Sequence, residues 1–379
     1  MPDMTAGEAY LLYHSIGQYP EKAADMKRGL GAFTDSWCAC DDGQWAYALE
    51  RRQRFLDLWR GIVNAPEGTL TSCESVTSGL YSLIGALPER YLKGRKVLVA
   101  GDCFPSLHFL LTGLAPRLGF TLQTVPLRPG ATWVEDEDVI AAWGPDVGVA
   151  LLTWVSSTSS ARCDLDRLVA HGRRMGSLIG TDITQGAGLL PYDVMAPKVD
   201  FSLSTSLKWM CGTPGAGVLY VAADVIPDCR PALRGWFSQD DIFSWALDAF
   251  DYAPDIRRFD HGTPGTVAAI ASLPALEWHA RQDRAGMLAH NRALSAALLA
   301  GLEDLGLKLA SPRDPERRGG SLMVTLSDSH RGADVVAALR AARVHVDARG
   351  QTLRMSPGAV TTVVGVERAL AQLGRVLRG

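Results

Sequence analysis

Between residues 95 and 221 short apolar runs alternate with segments of helical spacing, and this alternation limits the fold more than any other feature. "RKVLVAG", "TLQTVPL", "VGVALLTW", "SLIGTD", "DFSLSTS" and "GAGVLYV" read as strands. "PSLHFLLTGLAPRLG", "EDEDVIAAW" and "DLDRLVAHGRRMG", the last opened by an acidic cap, read as the helices between them. A strand that is apolar along its whole length must be covered on both faces, and strands joined through helices pair in parallel. The expectation is an α/β domain with a mostly parallel central sheet between helical layers. Two further helices, over 43–63 and 78–87, precede it.

After about residue 265 the pattern changes. A long helical stretch, "TVAAIASLPALEWHARQDRAGMLAHNRALSAALLAGLEDLG", leads to "SLMVTL", "GADVVAALRAARV", "TLRMSP" and the final helix "TVVGVERALAQLGRVL", a smaller α+β region. The expected organisation is an N-terminal segment over 1–64 packing with the small domain, a large domain over 65–282 and a small C-terminal domain over 283–379. "SPRDPERRGG" (311–320) reads as a solvated loop.

Charge and composition exclude several classes. The net charge is −3, with no basic excess of the kind that tracks nucleic acid. No apolar run approaches the eighteen or more residues that span a bilayer, and "MPDMTAGEAYLLYHSIG" lacks the features of a secretory leader, so a cytoplasmic protein is expected. The seven cysteines are scattered, with a single Cys-x-Cys at Cys38 and Cys40, which suits reduced thiols and no metal site.

Lys208 interrupts the apolar strands. It follows "FSLSTS" and precedes the glycine-rich turn of Gly212, Gly215 and Gly217, where an unpaired buried ammonium would cost several kcal/mol. It must therefore reach solvent, pair with an acid, or be used chemically. In open α/β sheets ligands sit beyond the carboxyl ends of the strands. There the sequence places Asp102, Phe104 and Ser106, then Thr153, then Asp182 with Gln185, while Val76, Thr77 and Ser78 open a helix whose free N–H groups suit a phosphate. Taken singly, a hydroxyl before a helix is a cap and a strand-terminal Asp pairs with a surface base. Taken in order, they describe a pyridoxal-phosphate site, with donors for the phosphate, an aromatic face for the ring, a carboxylate for the pyridine nitrogen and an amine for the aldehyde. The remaining lysines, Lys22, Lys27, Lys93, Lys96, Lys198 and Lys308, flank helices and turns, which leaves Lys208 as the amine.

"HSIG" (14–17), "CFPSLH" (103–108), "DITQGAGLLPYDV" (182–194), "LRGWFSQ" (233–239), "RRFDHGTPG" (257–265) and "LRMSPGAV" (353–360) occur in that order. In this the chain resembles the fold-type I pyridoxal-phosphate enzymes of the class V aminotransferase group, kynureninase most closely. The resemblance implies that Lys208 carries the cofactor and that Asp182 pairs with the ring nitrogen. It implies that Phe104 stacks on the ring, that Val76, Thr77 and Ser106 lie near the phosphate, that Thr153 and Gln185 lie near the ring and its 3-oxygen, and that Ser206 also belongs to the cofactor-binding set. Trp236 and Thr263 would reach the phosphate across a homodimer interface. Arg354 would hold the substrate carboxylate, with Ser15 and Trp37 also facing the substrate. Kynureninases carry a tyrosine before the lysine where this chain has Leu207, and an aspartate where it has Leu107. The expectation is an enzyme that cleaves a Cβ–S or Cβ–C bond of an amino acid other than kynurenine. The same frame serves transamination, decarboxylation coupled to deamination, or a catalytically idle partner subunit. The alanine- and arginine-rich composition would suit a specialised biosynthetic pathway.

Overall fold

The computed structural model describes residues 9–378; residues 1–8, part of the N-terminal reading, lie outside them. The chain opens with β1 (Ala9–Tyr10), α1 (Lys22–Trp37), α2 (Gln44–Val63), β2 (Leu70–Cys73), α3 (Val76–Ile84) and α4 (Glu89–Leu92). The alternating series follows as β3 (Lys96–Ala100), α5 (Pro105–Leu118), β4 (Thr121–Val125), α6 (Asp136–Ala142), β5 (Val147–Thr153), α7 (Leu165–Met175), β6 (Leu178–Asp182), β7 (Phe201–Thr205) and β8 (Gly217–Val221). The remainder comprises α8 (Val267–Ala280), α9 (Arg284–Asp304), β9 (Lys308–Leu309), β10 (Leu322–Thr325), α10 (Gly332–Ala341), β11 (Val344–His345), β12 (Asp347–Arg349), β13 (Thr352–Met355) and α11 (Val363–Arg378).

Seven strands form the central sheet in the order β2-β8-β7-β6-β5-β3-β4. Within it only β8 runs against its neighbours; the pairs β3–β4, β3–β5, β5–β6 and β6–β7 are parallel. The chain passes from β3 outward to β4 and returns on the other side of β3 to lay down β5, so the strand order reverses there and a crevice opens beyond the carboxyl ends. Apolar residues cover both faces, as the uninterrupted strands require. Phe55, Trp59, Trp143, Ile179 and Leu273 lie in one core, and Leu80, Leu83, Leu111, Phe201 and Phe259 in the other. Gly180 on β6 admits the Phe201 ring, since a Cβ there would stand 1.9 Å from it.

The C-terminal region packs α9, α10 and α11 on the antiparallel sheet β12-β13-β10-β9, with Leu298, Leu322, Leu353 and Val366 in its core. The N-terminal segment touches both regions. β1 pairs in parallel with β11, whereas α1 and α2 lie along α8. The long helical stretch divides at residues 281–283, where the Asp283 carboxylate accepts from the Ala285 amide and caps α9.

One reading needs correction. Residues 313–317 of the 311–320 loop are exposed, but Arg318 is buried and bridges to Ala161, and the Gly319 amide donates to the Ser160 carbonyl at 2.8 Å. The charge run marks only the outer half; the inner half passes close to Leu189 and Trp209, with room for glycine alone at Gly320. Among the described residues no helix is long and apolar enough to cross a membrane.

Candidate active site

A cavity of about 410 Å³ lies at the carboxyl ends of β3, β5, β6 and β7, where the strand order reverses. Val76, Thr77, Phe104, Ser106, Thr153, Asp182, Gln185 and Lys208 all line it. So do Glu74, Val155, Ser157, Thr184, Thr205, Leu207 and Pro214, which sequence reasoning had not assigned to the site. Their positions directly follow strand ends or the glycine-rich turn, the one signal that could have found them.

Lys208 is held by its backbone and left free at its tip. After β7 the chain coils tightly, with the Gly212 amide donating to the Ser206 carbonyl at 2.7 Å and the Cys211 amide to the Lys208 carbonyl at 2.8 Å. Cys211 takes the left-handed conformation at φ 58° to do so. Among the described residues Nζ makes no hydrogen bond or ion pair; its partner is the Phe104 ring, 5.3 Å away. Burial lowers its pKa to about 8 against the attraction of Asp182. At pH 7 about a tenth of the amine is then neutral, against less than one part in a thousand for an ordinary lysine.

Asp182 ends β6 and is enclosed. One carboxylate oxygen accepts the Thr184 amide at 3.0 Å, and burial raises the pKa above the usual carboxylate range while Lys208 pulls it back. Gln185 is fixed from behind by donating Nε2 to the His14 carbonyl at 3.0 Å. At the start of α3 the Ser75 hydroxyl accepts from the Ser78 amide and the Ser78 hydroxyl from the Ser75 amide. That capping box leaves the Val76 and Thr77 amides, which have no acceptor within the helix, at the cavity wall.

The other expected residues do not line the cavity. Ser206 is buried beneath it, its hydroxyl accepting from the Trp59 indole at 3.0 Å. Ser15 lies in a turn, its amide bonded to the Leu12 carbonyl. Trp37 is exposed at the end of α1 between Phe33 and Trp45. Trp236 stacks on Trp245, and Thr263 sits in the segment beside a neighbouring hollow lined by His261, Pro264 and Gly265. Arg354 lies behind Ser157, with three of its five N–H groups bonded to Asp347 and the Ser157 carbonyl.

Residues 58–369 match the family described as Aminotransferase class-V. The chain belongs to this family. A kynureninase of Bacillus anthracis is 27% identical over 374 residues, covering 93% of this chain and 84% of the relative. One of Yarrowia lipolytica is 24% identical over 310 residues, covering 73% and 68%. Among solved structures, a complex between the cystine C–S lyase C-DES and its product cysteine persulfide superposes with a TM-score of 0.86 at 19% identity, covering 97% of this chain and 98% of that one. The class V chain is thus a pyridoxal-phosphate-dependent enzyme acting on an amino acid.

The cavity fits that cofactor. An amine with no hydrogen-bond or ion-pair partner among the described residues shares the wall with a buried carboxylate and an aromatic ring, and two unclaimed helix amides with the Thr77 and Ser106 hydroxyls would receive a phosphate. The N-terminal segment braces this arrangement. The Gly17 amide donates to the Leu207 carbonyl at 2.9 Å, and a Cβ on Gly17 would stand 1.9 Å from the Lys208 carbonyl oxygen. Gly17→Ala is expected to displace the lysine turn, costing about 1–3 kcal/mol of stability as overpacking does. Thermal melting and cofactor occupancy measure it; an unchanged melting temperature with full occupancy contradicts the bracing role.

Proposed function

We propose that this enzyme is a β-lyase that cleaves the Cβ–S bond of S-substituted cysteines, releasing a thiol, pyruvate and ammonia, and that it works as a homodimer. The observation that carries the reading is Leu207. It stands on the cavity wall beside Lys208 with no proton to give, among Val76, Val155 and Pro214. General acid catalysis is worth about 10²- to 10⁴-fold, so a carbon leaving group that must be protonated has lost its donor here. A thiolate, whose conjugate acid has a pKa of about 8.5, leaves with the bonding pair unaided.

The cofactor, when bound, supplies an electron sink that makes the substrate's α-proton removable. Lys208 Nζ takes that proton, its lowered pKa giving it a neutral fraction near pH 7. Asp182 would support positive charge at the ring nitrogen, Phe104 would offer the ring an aromatic face, Val76, Thr77 and Ser106 would hold the phosphate, and Thr153 and Gln185 would lie beside the ring. Arg354 receives the carboxylate of the amino acid. Trp236 and Thr263, held away from this chain's own cavity, serve the cavity of a second copy; a protein that sediments as a monomer while fully active would contradict this. We take 65–282 as the cofactor-binding domain and 283–379 as the small domain, with the described part of the N-terminal segment, from residue 9 to 64, packing against both. The seven free thiols support a cytoplasmic location.

Incubating the holoenzyme with S-substituted cysteines, kynurenine and keto acids tests the reading. Thiol release is expected to be at least about a hundredfold more efficient than kynurenine cleavage, and Leu207→Tyr to raise kynurenine cleavage more than thiol release. Efficient kynurenine cleavage by the wild-type enzyme overturns the reading. So does keto-acid-dependent amino transfer without thiol.

A further inference from the structure

Arg354 is 5% exposed and tightly tethered. Its Nε and Nη2 donate to the two oxygens of Asp347 at 2.7 and 2.5 Å, and its Nη1 donates to the Ser157 carbonyl at 3.0 Å. A guanidinium has five N–H groups, so the side-on edge is taken and the two that remain are on Nη1 and Nη2.

Asp347 is gripped from its other side. Its Oδ1 lies 2.9 Å from His14 Nε2, while His14 Nδ1 lies 2.5 Å from the Ser356 hydroxyl, itself 2.6 Å from the Ser321 hydroxyl. A carboxylate only accepts and a hydroxyl can donate, so the imidazole proton sits on Nε2. Burial holds the His14 pKa down to about 4, with Asp347 pulling it up and Arg354 and Lys208 pushing it down. His14 is thus a neutral donor, and the charge of Asp347 stays committed to Arg354, with Arg349 a further 3.9 Å away. The His14 carbonyl also receives the Gln185 amide, so one residue fixes two groups of the site.

We propose that His14 and Asp347 are positioning residues for substrate recognition. Together they lock Arg354 side-on, so that its Nη1/Nη2 edge alone is offered and an amino acid with a free α-carboxylate is selected by the shape of that edge. Asp347 cancels the arginine's charge, so attraction for anions in general is not the device. This inference rests on the reading of Arg354 as the carboxylate-binding group.

The test is titration of the holoenzyme with L-alanine and L-alaninamide, neither of which carries a β-leaving group, following the cofactor's absorbance. The wild type is expected to prefer the acid by about tenfold or more, and Arg354→Ala to lose the preference. Asp347→Asn and His14→Ala are expected to reduce it below about threefold, with His14→Gln restoring part of it through its own N–H donor. A preference that persists in Arg354→Ala sinks the reading of the arginine, and this inference with it. Loss in Arg354→Ala but not in Asp347→Asn or His14→Ala sinks the inference alone, as does a rise in Asp347→Asn, the signature of charge without positioning. Nitrogen-15 NMR of histidine in the wild-type holoenzyme gives a check that needs no variant. His14 must stay neutral with its proton on Nε2 from pH 5 to 8, and an Nδ1–H tautomer or a charged ring overturns the proposal.

Discussion

Lys208→Ala is expected to remove turnover by more than about a thousandfold and to leave no cofactor on the chain after borohydride treatment. Among the described residues, Lys208 supplies the lysine nitrogen on the cavity wall. A Lys208→Met variant separates this loss from misfolding. Burial lowers the folded-state pKa of Lys208 from its ordinary 10.5 to about 8. A base whose pKa is lowered by folding opposes folding, fully below pH 8 and progressively less as the pH rises from 8 to about 10.5, because the unfolded chain binds the extra proton. The cofactor-free methionine variant is therefore expected to melt at or above the parent at pH 7, with the difference closing above pH 10. A variant with normal turnover refutes the assignment of the lysine; one that melts well below the parent at pH 7 refutes the account of its burial.

The sheet was legible because β5 to β8 are buried along their length and their composition says so. α1 was not, because none of its sixteen residues is buried and no apolar stripe marks it. β2, only four residues long, was not read as a strand. The cavity wall could be read because residues following strand ends converge wherever strand order reverses. Contacts between distant segments could not. Ser206 was counted among the cofactor-binding residues, yet its hydroxyl meets Trp59, 147 residues earlier. His14 and Asp347 meet across 333 residues, and neither residue alone signals the other. A buried Arg354 does imply an acid partner, because an uncompensated guanidinium is costly to enclose, but composition does not say which acid.

Asp182→Asn is expected to leave the cofactor bound while slowing α-proton removal by about 10²- to 10³-fold. The carboxylate ends β6, 8% exposed, with a single amide, that of Thr184, donating to Oδ1 at 3.0 Å. Asparagine keeps the shape and the acceptor for that amide and loses only the charge. At an effective dielectric of about 20 a unit charge 4 Å from a cationic ring nitrogen contributes about 4 kcal/mol before desolvation, and each 1.4 kcal/mol is a factor of about ten. Burial already disfavours the ionised form of Asp182, and the positive charge of Lys208 opposes that effect. A cationic ring facing the carboxylate strengthens the opposition, so the charge is present when the proton must move. Exchange of the α-hydrogen of L-alanine in deuterium oxide reads this step without any leaving group. Unchanged exchange in Asp182→Asn would mean that the carboxylate serves only to hold the Thr184 turn, and loss of the cofactor in that variant would mean that Lys208 and the α3 amides do not hold it without Asp182.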